Sequence, residues 1–220
     1  EQPWFRLGDQ DVATHLLRTQ ALRDGERLTT ITAWLAARLG IEAAILPATD
    51  DEIATIVETV EYGALAFQEY FVRHRWQPQV KNLHVHCVES ARLTPEAAAS
   101  LEQADAIVIA PSNPWLSVAP LLAIPGLRDH LLARDVPRVA ISPIVGGKAI
   151  KGPAAKLMEE LGYEVTPEYY GAVINRFIYD EIDHDARQPA VHHLVTGTIM
   201  NTAEDRARLA ERLLRWIERE

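Results

Sequence analysis

The feature that most restricts the fold is a set of short apolar runs in the second half of the chain. They are "AIVIA" at 106–110, "RVAIS" at 138–142, "RFIYD" at 176–180 and "HHLVTG" at 192–197. Several are apolar at consecutive positions rather than every second one, which suits parallel strands covered on both faces. Helical stretches alternate with such runs, at "LAFQEYFVRHR", "PEAAASLEQA", "GPAAKLMEELG" and the C-terminal "AEDRARLAERLLRWIERE". The alternation predicts an α/β fold with a Rossmann-like, mostly parallel sheet and helices on both faces. Earlier runs, "AAILP", "ATIVETV" and "NLHVHCVE", are read as further strands of the same core.

The first forty residues differ. In "DVATHLLRTQALRDG" Val12, Leu16, Leu17 and Leu22 recur at helical spacing, and Gly25 is a plausible stop. In "TTITAWLAARLG" Thr29 or Thr30 can cap free N–H groups, and Gly40 can take the left-handed position after the helix. The expected organisation is a helical hairpin lobe over 1–42 and an α/β core over 43–220. The chain is long enough, at 220 residues and 48% hydrophobic content, for one sizeable core.

The balance of 22 basic against 31 acidic residues gives a net charge of −9, which repels phosphate backbones and anionic lipid, so nucleic acid is not expected as a partner. A single cysteine, Cys87, cannot form an internal disulfide, and no apolar run approaches the roughly 20 residues that span a bilayer. A cytoplasmic protein away from membranes is expected. The opening "EQPWFRLGDQ" has neither an initiator Met nor the features of a signal peptide, so an upstream segment is expected to be missing.

Two strand ends carry the chemistry. The run "IVIA" stops in Pro111-Ser112-Asn113-Pro114-Trp115. In open α/β sheets ligands bind beyond the carboxyl ends of the strands. There the Ser112 hydroxyl and Asn113 amide can bond phosphate oxygens or a base edge, while the prolines limit the entropy lost on binding. The second end, "RVAISPIVGGKAIKGPAAKLM", offers Ser142, Gly146 and Gly147, Lys148 and Lys151, then Gly152-Pro153 opening a helix. A glycine-flexed loop, two cations and a helix N-terminus favour an anion. It is not a Walker A loop, since Pro153 stands where that motif needs Lys. Each feature alone also fits an ordinary turn or solvated lysines; together they favour a phosphorylated ligand.

A third group lies in "WFRLGDQDVATHLLRTQ", with Arg6, Asp9, Asp11, His15 and Arg18. On a helix from Asp11, His15 at i+4 and Arg18 at i+7 share one face. The alternative is a capping Asp9 or Asp11 and a surface ion pair for Arg18. His84 and His86 alternate on one strand face but lack a third ligand in sequence, and "DHD" at 183–185 reads as a solvated loop. Trp34, Trp76 and Trp216 are expected to pack, as is the stripe Leu209, Leu213, Leu214, Trp216 and Ile217 of the last helix.

The blocks "WFRLGDQDVATHLLRTQALRDG", "ILPATDD", "FQEYFV", "PSNPWLS", "SPIVGGKAIKGPAAKLM" and "TIM", in this order, resemble the CofD family of 2-phospho-L-lactate transferases in coenzyme F-420 biosynthesis. The resemblance implies transfer of a phosphoenolpyruvyl or 2-phospholactyl group from a guanosine diphosphate-linked donor to the deazaflavin Fo, with release of GMP and a requirement for Mg²⁺. By the same resemblance Ser112, Asn113, Pro114, Ser117, Ser142, Gly146, Gly147, Lys148, Lys151 and Gly152 are expected to bind the nucleotide and phosphates. Arg6, Asp9, His15 and Arg18 are expected at Fo, and a homodimer is the expected assembly. No catalytic base or metal ligand is named. The family's first strand, its GGTGG-like loop and an Asp-rich segment that supplies much of the metal site have no counterpart here, and Gly197 in "TGTIM" stands where an Asp is expected.

Two other readings compete. CofD-like folds include a regulator of central carbon metabolism that binds nucleotide-sugars without transferase chemistry; "WFRLGDQDVATHLLRT" with "FQEYFV" favours the transferase branch. An NAD(P)-dependent reductase is weaker, because no G-x-G-x-x-G follows a strand.

Overall fold

The computed structural model describes residues 4–149, 154–162, 167–183 and 190–219. The chain divides into two compact units, one of residues 1–102 and 120–128, the other of residues 103–119 and 129–220. The expected boundary near residue 42 is not where the chain divides. The helical hairpin shares its unit with a small sheet.

In the first unit, α1 (Asp9–Arg23) and α2 (Leu28–Arg38) are each followed by a glycine at positive φ, Gly25 at 89° and Gly40 at 70°. The Ile41 N–H returns to the Ala36 carbonyl at 3.0 Å, closing α2 as the sequence suggested. Neither Thr29 nor Thr30 caps α2. The N-cap position is Arg27, and the carboxylate of Asp50 accepts from the Thr29 N–H and hydroxyl, both at 2.8 Å. No residue of α1 is buried, and Leu16 is 66% exposed.

The strands β1 (Ala54–Thr59), β2 (Gly63–Ala66) and β3 (Val80–His86) form an antiparallel sheet in the order β2-β1-β3, not further strands of a parallel core. The reason is connection length: only residues 60–62 separate β1 from β2, whereas a parallel neighbour needs a crossover of a dozen or more residues. "AAILP" forms no strand, and "LAFQEYFVRHR" gives the end of β2 and a π-helical turn, Glu69–Arg73, rather than a long helix. The helix α3 (Pro95–Gln103) follows. Trp34 and Trp76 remain 43% and 37% exposed instead of packing in a core; Trp34 lies under the Arg38 guanidinium, 5.5 Å from the ring centroid.

In the second unit β4 (Ile107–Ile109), β5 (Arg138–Ile141), β8 (Arg176–Tyr179) and β9 (His192–Val195) make a wholly parallel sheet in that order. In chain order, a π-helical turn, Pro114–Val118, and the short helices α4 (Ala119–Leu122) and α5 (Leu127–Leu132) come between β4 and β5, with residues 120–128 belonging to the first unit. Between β5 and β8 come a two-stranded hairpin, β6 (Ile144–Val145) with β7 (Lys148–Ala149), then α6 (Ala154–Leu161) and α7 (Pro167–Tyr170). The last helix, α8 (Ala203–Glu218), starts with a capping box between Thr202 and Asp205. Its Leu209 and Leu213 pack on Val139, Ile141 and Ile178, with Trp216 and Ile217 at the margin, while Leu214 stays exposed. No helix among the described residues is long and apolar enough to cross a membrane.

Candidate active site

Because every strand of the larger sheet is parallel, its carboxyl ends share one edge. The register pairs Ile109 with Ala140, Ile141 with Ile178 and Tyr179 with Val195. Hence the residues just past the strands, Ser112 and Asn113, Ser142, Asp180 and Thr196, follow one rim. This is where ligands bind in such sheets.

Asn113 has two roles at that rim. Its Oδ1 accepts from the N–H groups of Trp115 and Leu116, each at 3.0 Å, and so caps the turn that Pro114 opens. Its Nδ2 is buried and bonds to no other described atom. A buried amide donor without a partner is costly, so this nitrogen is suited to a ligand's acceptor. Pro114 is buried, and its carbonyl accepts from the Tyr169 hydroxyl at 3.4 Å, which ties the turn to α7. Ser117 is exposed, with its N–H on the Asn113 carbonyl at 2.9 Å.

Ser142 does not present its hydroxyl as expected. It is 4% exposed, and its Oγ donates to the Ile144 carbonyl at 3.2 Å and accepts from the Ile144 N–H at 3.1 Å. A serine so placed satisfies its own turn. Gly146 and Gly147 turn the β6–β7 hairpin with φ of 60° and 69°, values open to glycine. Their N–H groups, expected for phosphate, donate instead to Asp183, at 3.0 Å to Oδ2 and 3.2 Å to Oδ1. Lys148 is exposed beside the turn. Lys151 and Gly152 lie outside the described residues.

Asp180, 2% exposed, was not singled out in sequence. Its Oδ2 accepts from the Thr198 N–H at 2.6 Å and hydroxyl at 3.0 Å, and its Oδ1 from the Ile182 N–H at 3.1 Å. It thereby holds the loops after β8 and β9 together. A carboxylate ending an apolar strand was the available signal. A Cβ at Gly197 would lie 3.7 Å from Glu181 Oε1, so an aspartate there would face a second carboxylate.

In the first unit, Arg6 and Asp9 are exposed, and Asp9 is the first helical residue rather than the cap. Arg18 Nη2 donates to His15 Nδ1 at 2.6 Å, so two of the expected residues meet on one face of α1. The same unit has an open cavity of about 310 Å³ lined by Arg27, Asp50, Asp51, Arg92 and 93–95. Arg27 bonds both oxygens of Glu96, at 2.8 and 2.9 Å, and Asp50 at 2.8 Å. The bonds to Glu96 and Asp50 raise the guanidinium pKa and leave Glu96 below the usual carboxylate range. Burial pushes Asp50 upward, but bonds from Thr29 and Arg27 outweigh it and leave its carboxyl low. With its charges mutually satisfied, the cluster locks α2 to the segments before β1 and at α3.

Mg²⁺ needs convergent oxygen ligands. Among the described residues no group of three or more His, Cys, Asp or Glu side chains could hold a metal. Asp180 and Asp183 are occupied by backbone donors and Thr198, so the described residues do not by themselves fit the ion. His84 pairs with Glu58 at 3.3 Å rather than with a third ligand.

The family model for 2-phospho-L-lactate transferase CofD matches residues 3–218. This chain belongs to the CofD family. A CofD relative from Methanosarcina mazei, named 2-phospho-L-lactate transferase, is 37% identical over 215 residues, covering 94% of this chain and 70% of the relative. One from Mycobacterium avium, named phosphoenolpyruvate transferase, is 40% identical over 195 residues, covering 82% of this chain and 58% of the relative. One from Methanopyrus kandleri, named 2-phospho-L-lactate transferase, is 36% identical over 222 residues, covering 97% and 71%. A solved structure of a Bacillus halodurans protein shares the fold, with a TM-score of 0.62 at 13% identity over 90% of this chain and 70% of that one.

Proposed function

We propose that this protein transfers a 2-phospholactyl or phosphoenolpyruvyl group from a guanosine diphosphate-linked donor to the deazaflavin Fo, forming a coenzyme F-420 precursor. The observation that carries the reading is the likeness along residues 3–218 to relatives named for these two transfers. An Fo hydroxyl attacks the donor phosphorus next to the acid moiety. The bond from that phosphorus to the oxygen of the GMP phosphate breaks, GMP leaves, and the hydroxyl proton passes to solvent. Such a transfer depends mainly on alignment and on neutralising charge. Asn113 Nδ2 is assigned a hydrogen bond to the nucleotide and Lys148 the charge of the diphosphate, while Arg6, in the first unit, is assigned to Fo. A requirement for Mg²⁺ is proposed from the family likeness alone. No observation favours the nucleotide-sugar-binding regulator.

The test is to incubate the full-length protein with Fo, Mg²⁺ and each guanosine-linked donor, then weigh the deazaflavin by mass spectrometry. One donor should raise the Fo mass by its phospho-acid group with an equal yield of GMP. Unaltered Fo with both donors would reject the reading.

A further inference from the structure

The Gly146–Gly147 turn holds an anion of its own. Both N–H groups converge on the two oxygens of one carboxylate, Asp183, at 3.0 and 3.2 Å. Successive backbone N–H groups in a turn form an anion seat, and bonds to a carboxylate are charge-assisted. The turn also lies against the neighbouring residue: a Cβ on Gly146 would stand 3.5 Å from Ile182 Cγ2.

Asp183 is itself fixed. It ends the 3₁₀ turn Glu181–Asp183, whose Asp183 N–H donates to the Asp180 carbonyl at 3.0 Å and whose Ile182 N–H donates to Asp180 Oδ1. Asp180 is buried and also binds Thr198. The hairpin turn after β5 is therefore wired, through Asp183 and Asp180, to the loops after β8 and β9. A phosphate reaching for the same two N–H groups would have to displace this carboxylate or meet its charge.

We infer that Asp183 is a positioning residue for the donor: its carboxylate fills the glycine turn, fixes the hairpin, and leaves the Lys148 side chain, not the glycine N–H groups, to meet the diphosphate. This rests on the proposed binding of a guanosine diphosphate-linked donor at the rim.

The test measures GDP affinity by calorimetry and Fo affinity by fluorescence on the full-length wild type and on Asp183→Ala, Asp183→Asn and Gly147→Ala, with KM for both substrates. Asp183→Ala should weaken GDP binding about tenfold, the scale of one lost charge-assisted hydrogen bond. Asp183→Asn, which keeps one acceptor and the side-chain shape, should weaken it less. Gly147→Ala strains the turn at positive φ with Asp183 intact and should act in the same direction. In all three the donor KM should rise while Fo affinity and Fo KM hold, a split that general loss of structure would not produce. Tighter GDP binding by Asp183→Ala would overturn the inference, showing that the N–H pair is the phosphate seat and Asp183 its plug. Unchanged GDP affinity in both Asp183 variants, or equal loss for GDP and Fo, would overturn it too, leaving the transferase reading intact. A wild type that binds no GDP would overturn both.

Discussion

Asn113 shows how one side chain can divide its two ends between structure and ligand. Its oxygen caps the Pro114–Val118 turn, while its nitrogen is the buried donor left over. The two can be separated, because Asn113→Asp keeps the capping oxygen and replaces the donor with a second carboxylate oxygen that also carries charge. That variant should still unfold cooperatively, at a melting temperature lowered by the buried charge, and should lose at least about 1–3 kcal/mol of GDP affinity. Calorimetric titration and thermal unfolding on the same preparation check this; full GDP affinity would return Asn113 to a turn residue. The sequence pointed to Asn113 because a polar pair flanked by prolines directly follows an apolar strand. Ser142 looked equivalent in sequence, since a Ser-Pro after a strand does not reveal that the hydroxyl closes on the backbone two residues later.

Among the elements, α2 depends on a partner distant in the chain. Asp50 supplies its N-terminal carboxylate, and Arg27 links Asp50 to Glu96 on α3. A carboxylate near a helix N-terminus meets unpaired N–H groups and the positive end of the dipole. Asp50 and Glu96 both sit below their ordinary values when folded. Their stabilisation is therefore fully present above the usual carboxylate range and is lost as pH falls through it toward the lowered values. Denaturation midpoints measured from about pH 6 to pH 3 should fall with acid in the wild type and fall less steeply in Asp50→Asn. Parallel curves would show that the cluster does not act through the charge of Asp50. The parallel strands were legible from their consecutive apolar residues, which β5 and β8 bury on both faces, although Val108 of β4 stays exposed. The antiparallel β2-β1-β3 sheet was not legible from its apolar runs, because its direction is set by the three-residue connection between β1 and β2. Long-range partners such as Asp50 for Thr29, or Asp183 for the glycine turn, leave no local periodicity from which to read them.

For the whole molecule, a net charge of −9 opposes an anionic donor at long range, so binding must rely on local groups at the sheet edge. Parallel strand order puts those groups on one edge without any one loop carrying the site. The family match extends over both units, whereas the residues assigned to the nucleotide fall in the second unit alone. The most direct test of that placement is a crystal structure of the full-length protein with GDP. A nucleotide acceptor is expected within about 3.2 Å of Asn113 Nδ2, at the carboxyl ends of β4 and β5, with Asp183 still on the glycine turn. GDP bound away from that edge, with Asn113 Nδ2 still unpaired, would contradict that placement.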